Sequence, residues 1–171
     1  MDSHGEIVAR RVAEARASGA GARRYFGWSS ILDADAFAEW KASHGHELDL
    51  SVGRLARLPD HTLAWNLASR YWGGRVPGIV PAPGREVWGM LWDVRAEDWP
   101  VLEHKEGVVT GLCVPMTVRI EADDATAFTT NPARAASGGP ISSGFLEAWA
   151  RGARKSGLPE TYVAEIVAKA S

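Results

Sequence analysis

One glutamate and one turn are the features of this sequence best suited to proton transfer. Glu106 is followed by Gly107, and a strand-like segment that ends at Trp28 runs into the turn Ser29-Ser30. Backbone N–H groups at such a turn can hold a carboxylate or a developing oxyanion. If Glu106 is buried beside that turn, desolvation raises its pKa towards the range useful for acid–base catalysis. The alternative is a solvated glutamate at the end of a helix.

A metal centre is not expected. His44 and His46, with Glu47 and Asp49 nearby, could offer nitrogen and oxygen ligands. No third ligand at a characteristic spacing accompanies them, and they fall in a polar connection where histidines usually face solvent. The sequence therefore predicts a reaction that uses no metal.

Nucleophilic catalysis is equally poorly supported. The segment 27–31 lies between a predicted strand and a predicted helix, but it lacks the second glycine of a nucleophile elbow. Cys113 falls within an apolar strand pattern, where a small buried side chain is expected rather than a reactive thiolate. Proton transfer by Glu106 is therefore the chemistry that remains.

Composition limits the class of protein. The 171 residues, 46% hydrophobic and 23% charged, fit one globular domain, and the net charge of −2 is not gathered into blocks. We therefore expect no nucleic-acid partner and no membrane partner. A single cysteine and an N-terminus without an apolar run predict a cytoplasmic protein. Eight tryptophans suggest an aromatic-walled cavity, and Trp28 is the one expected to line it.

Strand-like segments occupy the middle of the chain and helix-like segments its end. Helices are predicted over 6–17, after the capping residue Asp33, over 95–105, around Phe145 and Trp149, and over 159–169. Strands are predicted over 24–28, 51–58, 62–67, 76–80, 86–92, 112–120 and 125–130, with turns at 59–60 and 81–84. This order predicts an α+β domain over residues 23–171 with a mixed or antiparallel sheet curled into a small barrel. Residues 1–22 are expected to form a helical or flexible appendage.

Several short segments resemble, in order, the motifs of the gamma-glutamylcyclotransferase-like family over roughly residues 24 to 165. The family's entry motif, usually Tyr-Phe-Ala-Tyr-Gly-Ser-Asn-Leu, is similar to Tyr25-Phe26-Gly27-Trp28-Ser29-Ser30-Ile31-Leu32. The family segment Leu-Asp-x-x-Glu-Gly-Val, whose glutamate is catalytic, is similar to Leu102-Glu103-His104-Lys105-Glu106-Gly107-Val108. The family's hairpin and terminal signature resemble residues 72–74 with 83–89, and residues 152–153 with 157–162.

The resemblance implies peripheral helices around a small barrel, no metal or organic cofactor, and a place in glutathione metabolism. It implies that the α-amine of a small-molecule gamma-glutamyl substrate attacks the side-chain amide carbonyl and releases 5-oxoproline and an amine. Glu106 would act as general base and acid. The residues expected to bind substrate are Tyr25, Phe26, Gly27, Trp28, Ser29, Ser30 and Phe145. A homodimer is compatible with the resemblance.

Three positions depart from the family pattern. Ser29 stands at a family glycine, and a side chain there costs about 1 kcal/mol if the backbone requires positive φ. Ile31 replaces an asparagine, and Phe145 replaces a common tyrosine. These departures leave two alternatives open, a non-catalytic module that binds a small molecule in the same cavity, and removal of a gamma-glutamyl protecting group in secondary metabolism.

Overall fold

Five α-helices and five β-strands lie within residues 1–50 and 52–171, the part of the chain that the computed structural model describes. The helices are α1 (His4–Ser18), α2 (Ala34–His44), α3 (Trp99–Lys105), α4 (Ser143–Lys155) and α5 (Glu160–Ala170). The strands are β1 (Arg23–Gly27), β2 (Gly53–Ser69), β3 (Gly74–Val94), β4 (Cys113–Ile120) and β5 (Asp123–Thr130). The predicted α+β class is confirmed.

The strands form one mixed sheet in the order β2-β3-β1-β5-β4. The central strand β1 pairs antiparallel with β3 and parallel with β5. The edge strands β2 and β4 come near each other but do not pair, so the predicted barrel is corrected to an open, curled sheet. A barrel closes only when its two edge strands can pair along their length. Here the edge strand β2 and its neighbour β3 have 17 and 21 residues, whereas the edge strand β4 and its neighbour β5 have 8 each.

The predicted turns at 59–60 and 81–84 are wrong, because both segments are irregularities inside one long β2–β3 hairpin. The register shifts between Pro59 and His61, and Asp60 takes a φ of 57°. The Gly84 N–H donates to Oδ1 of Asp60 across the hairpin at 2.8 Å. Residues that favour turns also favour β-bulges, so the two cannot be separated by residue type. Ser51, where one strand was predicted to begin, lies outside the described residues.

Each face of the sheet carries its own hydrophobic core, because successive side chains of a strand point to opposite sides. Tyr25 belongs to the core beneath the helices, together with Phe128, Phe145 and Trp149. The next residue, Phe26, belongs to the core on the other face. The alternation of side chains along β1 therefore places Tyr25, and not Phe26, on the face of the sheet that approaches the helix α3.

Two helices pack near the core that contains Tyr25, hereafter the first core, and contact α3 and the turn after β1. Helix α1 lies against α3, with Val8 buried and Arg11 paired with Glu103. Helix α4 lies against the short 3-10 turn Ser30–Leu32 that follows β1, and Gly152 is the point of closest approach. No helix among the described residues has the length and apolar character needed to cross a bilayer.

Candidate active site

A cavity of about 220 Å³ lies between the end of α3, the turn after β1 and the β2–β3 hairpin. Aromatic rings form much of its wall, and a carboxylate, an ammonium group and hydroxyls interrupt them. The lining includes Trp28, Ser29, Ser30, Trp40, His44, Tyr71, Trp72, His104, Lys105, Glu106, Cys113, Phe128, Thr129 and Phe145. The predicted meeting of the acidic residue with the strand-to-helix turn is thus present in the fold.

Glu106 owes its position to the end of α3. Its N–H donates to the Leu102 carbonyl at 2.9 Å, so Glu106 closes the last helical turn. Gly107 follows with a φ of 79°, a conformation that favours glycine, and turns the chain towards β4. The Gly107 carbonyl then accepts the N–H groups of Leu112 and Cys113. Helix end and glycine together hold the Glu106 side chain at the cavity wall.

The Glu106 carboxylate lies in an environment that favours a bound proton. Burial raises the pKa of Glu106, while the positive charge of Lys105 and the hydrogen bond from Tyr25 oppose part of that rise. The hydroxyl of Tyr25 donates to Oε1 of Glu106 at 3.0 Å. A buried carboxyl group whose pKa is raised is suited to take and return a proton during a reaction.

The turn after β1 offers backbone donors to the same cavity. The carbonyls of Ser29 and Ser30 accept the N–H groups of Leu32 and Asp33, which forms the 3-10 turn. Within the described residues, the N–H groups of Ser29 and Ser30 donate to no protein acceptor. These two donors are therefore free to bind a substrate oxygen.

Two indoles fix that turn in place. The Trp28 Nε1–H donates to the Phe128 carbonyl at 3.1 Å, and the Trp149 Nε1–H of α4 donates to the Trp28 carbonyl at 2.9 Å. Ser29 has a φ of −102°, so its side chain brings no backbone strain. Ile31 is buried in the first core and does not line the cavity. The departures at 29 and 31 are therefore accommodated by the loop.

The predicted substrate-binding residues divide into three groups. Trp28, Ser29, Ser30 and Phe145 line the cavity, and Tyr25 reaches Glu106 from the core. Phe26 does not, because it is fully buried on the opposite face of the sheet. Gly27 lies outside the lining, and a side chain there would collide with Tyr25, Ile31 and Trp92. The expectation for Phe26 and Gly27 is corrected accordingly.

Lys105 is a cavity residue that the sequence reasoning missed, and Cys113, which is predicted to be a small buried side chain, also lines the cavity. Lys105 Nζ lies 3.1 Å from Ser30 Oγ, and burial lowers the pKa of its ammonium group. Burial and the charge of Glu106 raise the pKa of the Cys113 thiol to about 12, so the thiol stays protonated. The available signal for Lys105 was its place next to Glu106, but only the helix end shows that both side chains reach one cavity.

Three histidines surround Trp40 at the rim of the cavity. His46 Nε2 and His104 Nδ1 are 2.9 Å apart, and the His44 ring stacks on Trp40 with centroids 4.5 Å apart. Burial and the neighbouring imidazoles lower the pKa of His104 to about 4. Across the described residues no three His, Cys, Asp or Glu side chains are arranged to hold a metal ion. The three imidazoles and the indole therefore form a packed aromatic wall.

Residues 86–166 match the model of the AIG2-like family. The chain is 29% identical over 114 residues to the gamma-glutamylcyclotransferase of Bos taurus and 30% identical over 118 residues to that of Homo sapiens. Each match covers 63% of this chain and 61% of the relative, so the chain spans less than two thirds of the length of these relatives.

Solved structures share the fold. An uncharacterized human protein superposes with a TM-score of 0.72 and 23% identity over 89% of both chains. A gamma-glutamyl cyclotransferase superposes with a TM-score of 0.69 and 22% identity over 88% of both chains. YkqA of Bacillus subtilis gives a TM-score of 0.69 at 15% identity over 91% of this chain and 56% of that protein. These likenesses show the same arrangement of strands and helices.

Proposed function

We propose that the chain is a cyclotransferase of the gamma-glutamylcyclotransferase-like family, one that releases 5-oxoproline from a gamma-glutamyl amine, amino acid or peptide; the similarity to the AIG2-like family model and to curated gamma-glutamylcyclotransferases supports this. The observation that carries the proposal is one shared cavity. The Glu106 carboxyl group, which accepts a hydrogen bond from Tyr25, lines the same cavity as Ser29 and Ser30, whose backbone N–H groups donate to no acceptor among the described residues.

The reaction needs only one substrate, because nucleophile and electrophile belong to the same gamma-glutamyl group. Folding that group so that its α-amine faces its γ-carbonyl replaces the entropy cost of a bimolecular encounter. A small cavity with aromatic walls suits this task. We assign the walls formed by Trp28, Trp72 and Phe145 to this shaping role.

Glu106 carries the proton in both halves of the reaction. Its carboxylate takes a proton from the α-ammonium group, and the freed amine attacks the γ-carbonyl carbon to form a new C–N bond. The N–H groups of Ser29 and Ser30 stabilise the resulting oxyanion. Glu106 then gives its proton to the leaving nitrogen, and the original C–N bond breaks. Glu106 takes a second proton from the ring nitrogen and passes it to the departing amine, so 5-oxoproline and an ammonium product leave and Glu106 is again a carboxylate.

The test is incubation of the protein with a panel of gamma-glutamyl amides, with 5-oxoproline as the measured product. Glu106→Gln is expected to abolish release and to leave the folded structure intact, since the amide keeps the shape of the carboxyl group but cannot exchange the proton. Glu39→Gln, a change at an exposed position of α2, is the matched control and should not affect release.

Two results would contradict the proposal. Normal turnover by Glu106→Gln would remove Glu106 from the mechanism. Thermal stabilisation of the wild-type protein by these amides, without any product, would instead identify a binding module.

A further inference from the structure

Lys105 is a cation inside the cavity that lies near the Glu106 carboxylate but forms no direct ion pair in the described part of the chain. Its ammonium group makes one hydrogen bond there, to the neutral hydroxyl of Ser30, and forms no ion pair within 4.0 Å. The charge of Glu106 raises the pKa of Lys105 and so opposes part of the effect of burial, and the ring of Trp40 lies 6.0 Å from the ammonium group. A partly buried charge of this kind is costly unless something pairs with it.

The unused donors of Lys105 and Ser30 converge on the cavity. An ammonium group has three N–H donors, so two remain after the bond to Ser30. Ser30 is 4% exposed, and its hydroxyl accepts from Lys105, which leaves its own O–H free to donate. Both residues line the cavity next to Glu106. Three donors and one positive charge at one end of the cavity match the acceptors of a carboxylate.

On these grounds we propose that Lys105 and Ser30 bind a carboxylate of the substrate and that Lys105 determines specificity for it. The inference rests on the proposed function for the identity of the substrate. Two carboxylates satisfy the chemistry, the α-carboxylate of the gamma-glutamyl group and a carboxylate on the leaving amino acid. The Lys105 ammonium group and the Ser30 hydroxyl are different groups from the backbone N–H groups of Ser29 and Ser30, to which we assign the oxyanion.

Binding without turnover tests the anion site independently of the reaction. The probes are glutarate and its uncharged diamide, glutaramide, titrated by calorimetry into wild type, Lys105→Met and Lys105→Gln. Wild type is expected to prefer glutarate, and both variants should bind it about tenfold to a hundredfold more weakly, because a charge-assisted hydrogen bond is lost. Lys155→Met, a change at an exposed lysine of α4, is the matched control.

Kinetics distinguish the two sources of the carboxylate. The substrates are gamma-glutamyl-ethylamide, which carries only the α-carboxylate, and gamma-glutamyl-alanine, which carries a second one on the leaving group. A rise in KM of Lys105→Met for both substrates identifies the α-carboxylate, and a rise for gamma-glutamyl-alanine alone identifies the leaving group.

Two outcomes overturn the inference. Glutarate binding by Lys105→Met and Lys105→Gln that equals the wild-type affinity shows that no carboxylate pairs with Lys105. An unchanged KM with a shifted pH profile shows that Lys105 only tunes Glu106. If no amide yields product while glutarate binding still depends on Lys105, the proposed reaction fails and the anion site stands.

Discussion

Tyr25 and Glu106 are 81 positions apart in the chain, and the hydroxyl of Tyr25 donates a 3.0 Å hydrogen bond to Oε1 of Glu106. The Tyr25 ring is fully buried and stacks on Trp92 with centroids 5.7 Å apart. A ring held in this way cannot follow movements of the carboxylate. Tyr25 therefore fixes the orientation of Glu106 and stabilises its charged form.

Removal of the Tyr25 hydroxyl should move the pH dependence of the reaction. The hydrogen bond from Tyr25 lowers the pKa of Glu106, so Tyr25→Phe raises that pKa. We expect the acid limb of the kcat/KM profile to shift upward by about half to one pH unit, the size of one hydrogen bond. Tyr162→Phe removes a buried hydroxyl outside the cavity and should leave the limb in place. A profile of Tyr25→Phe equal to the wild type would contradict the assigned contact.

The Cys113 thiol should resist alkylation in the folded protein. Its pKa of about 12 leaves little thiolate, so labelling by a maleimide at pH 8 should be roughly a thousandfold slower than in the unfolded chain. The charge of Glu106 contributes to this pKa, so Glu106→Gln should label several times faster than the wild type. Equal rates in the two folded proteins would show that Glu106 and Cys113 do not interact.

Gly152 should tolerate no side chain. A Cβ at this position would collide with the backbone of Leu32 and Asp33, which follow the cavity turn. Gly152→Ala is therefore expected to lower the free energy of unfolding by about 1–3 kcal/mol and to weaken substrate binding, since α4 must move away from that turn. Urea denaturation and KM provide the two readouts.

Gly144→Ala in the first turn of the same helix is the matched control. Among the described residues, only Ser142 Oγ lies within 4.0 Å of an added Cβ there. Stability should stay unchanged or rise by up to about 1 kcal/mol, because alanine favours a helix over glycine. Equal losses in both variants would mean that the close approach at Gly152 is not the cause.

Acid should destabilise the fold through His104. Its folded pKa of about 4 lies below the ordinary value of 6.5, so the unfolded chain binds the proton more tightly. The stabilisation is fully present above pH 6.5 and is lost as pH falls from 6.5 towards 4. Solvent screens this partly exposed ring, so we expect a loss of roughly 1 to 2 kcal/mol.

The measured quantity is the free energy of unfolding by denaturant, compared between wild type and His104→Gln at pH 7 and at pH 4.5. The variant should lose less stability than the wild type between the two values. His61→Gln on β2, outside the histidine cluster, should lose as much as the wild type. An unchanged loss in His104→Gln would show that His104 does not carry the effect.

Local sequence patterns predicted most of the helices and strands, and the wrong predictions concern strands that pair with distant parts of the chain. The cap at Asp33 and the apolar spacing at Phe145 and Trp149 predicted α2 and α4, because helix signals lie within one or two turns of the chain. Pro59 and Gly84 were misread as turns, since their partners lie across the hairpin and no local pattern records the register. The predicted barrel was wrong, because strand patterns do not record whether the two edge strands of a curled sheet pair with each other.

In the candidate site, too, local patterns predicted some residues, while those that depend on long-range contacts were missed. Glu106 and the turn at Ser29 and Ser30 were anticipated as partners through the family motifs. Phe26 was assigned wrongly because strand alternation places it on the opposite face from Tyr25. Lys105 was overlooked, since the role of a lysine next to a glutamate depends on where the helix ends. The contact of Lys105 with Ser30 bridges 75 positions and has no local signature.

The position of β1 between β3 and β5 has a consequence for synthesis of the chain. The strand that leads to the cavity is made early, but its two neighbours are separated from it by dozens of residues of later chain. Loops of that length close slowly, so pairing around β1 is a late event in folding. While the ribosome has released only the first hundred residues, Tyr25 has no carboxylate to meet, and the cavity stays incomplete until Phe145 and Trp149 of α4 have emerged.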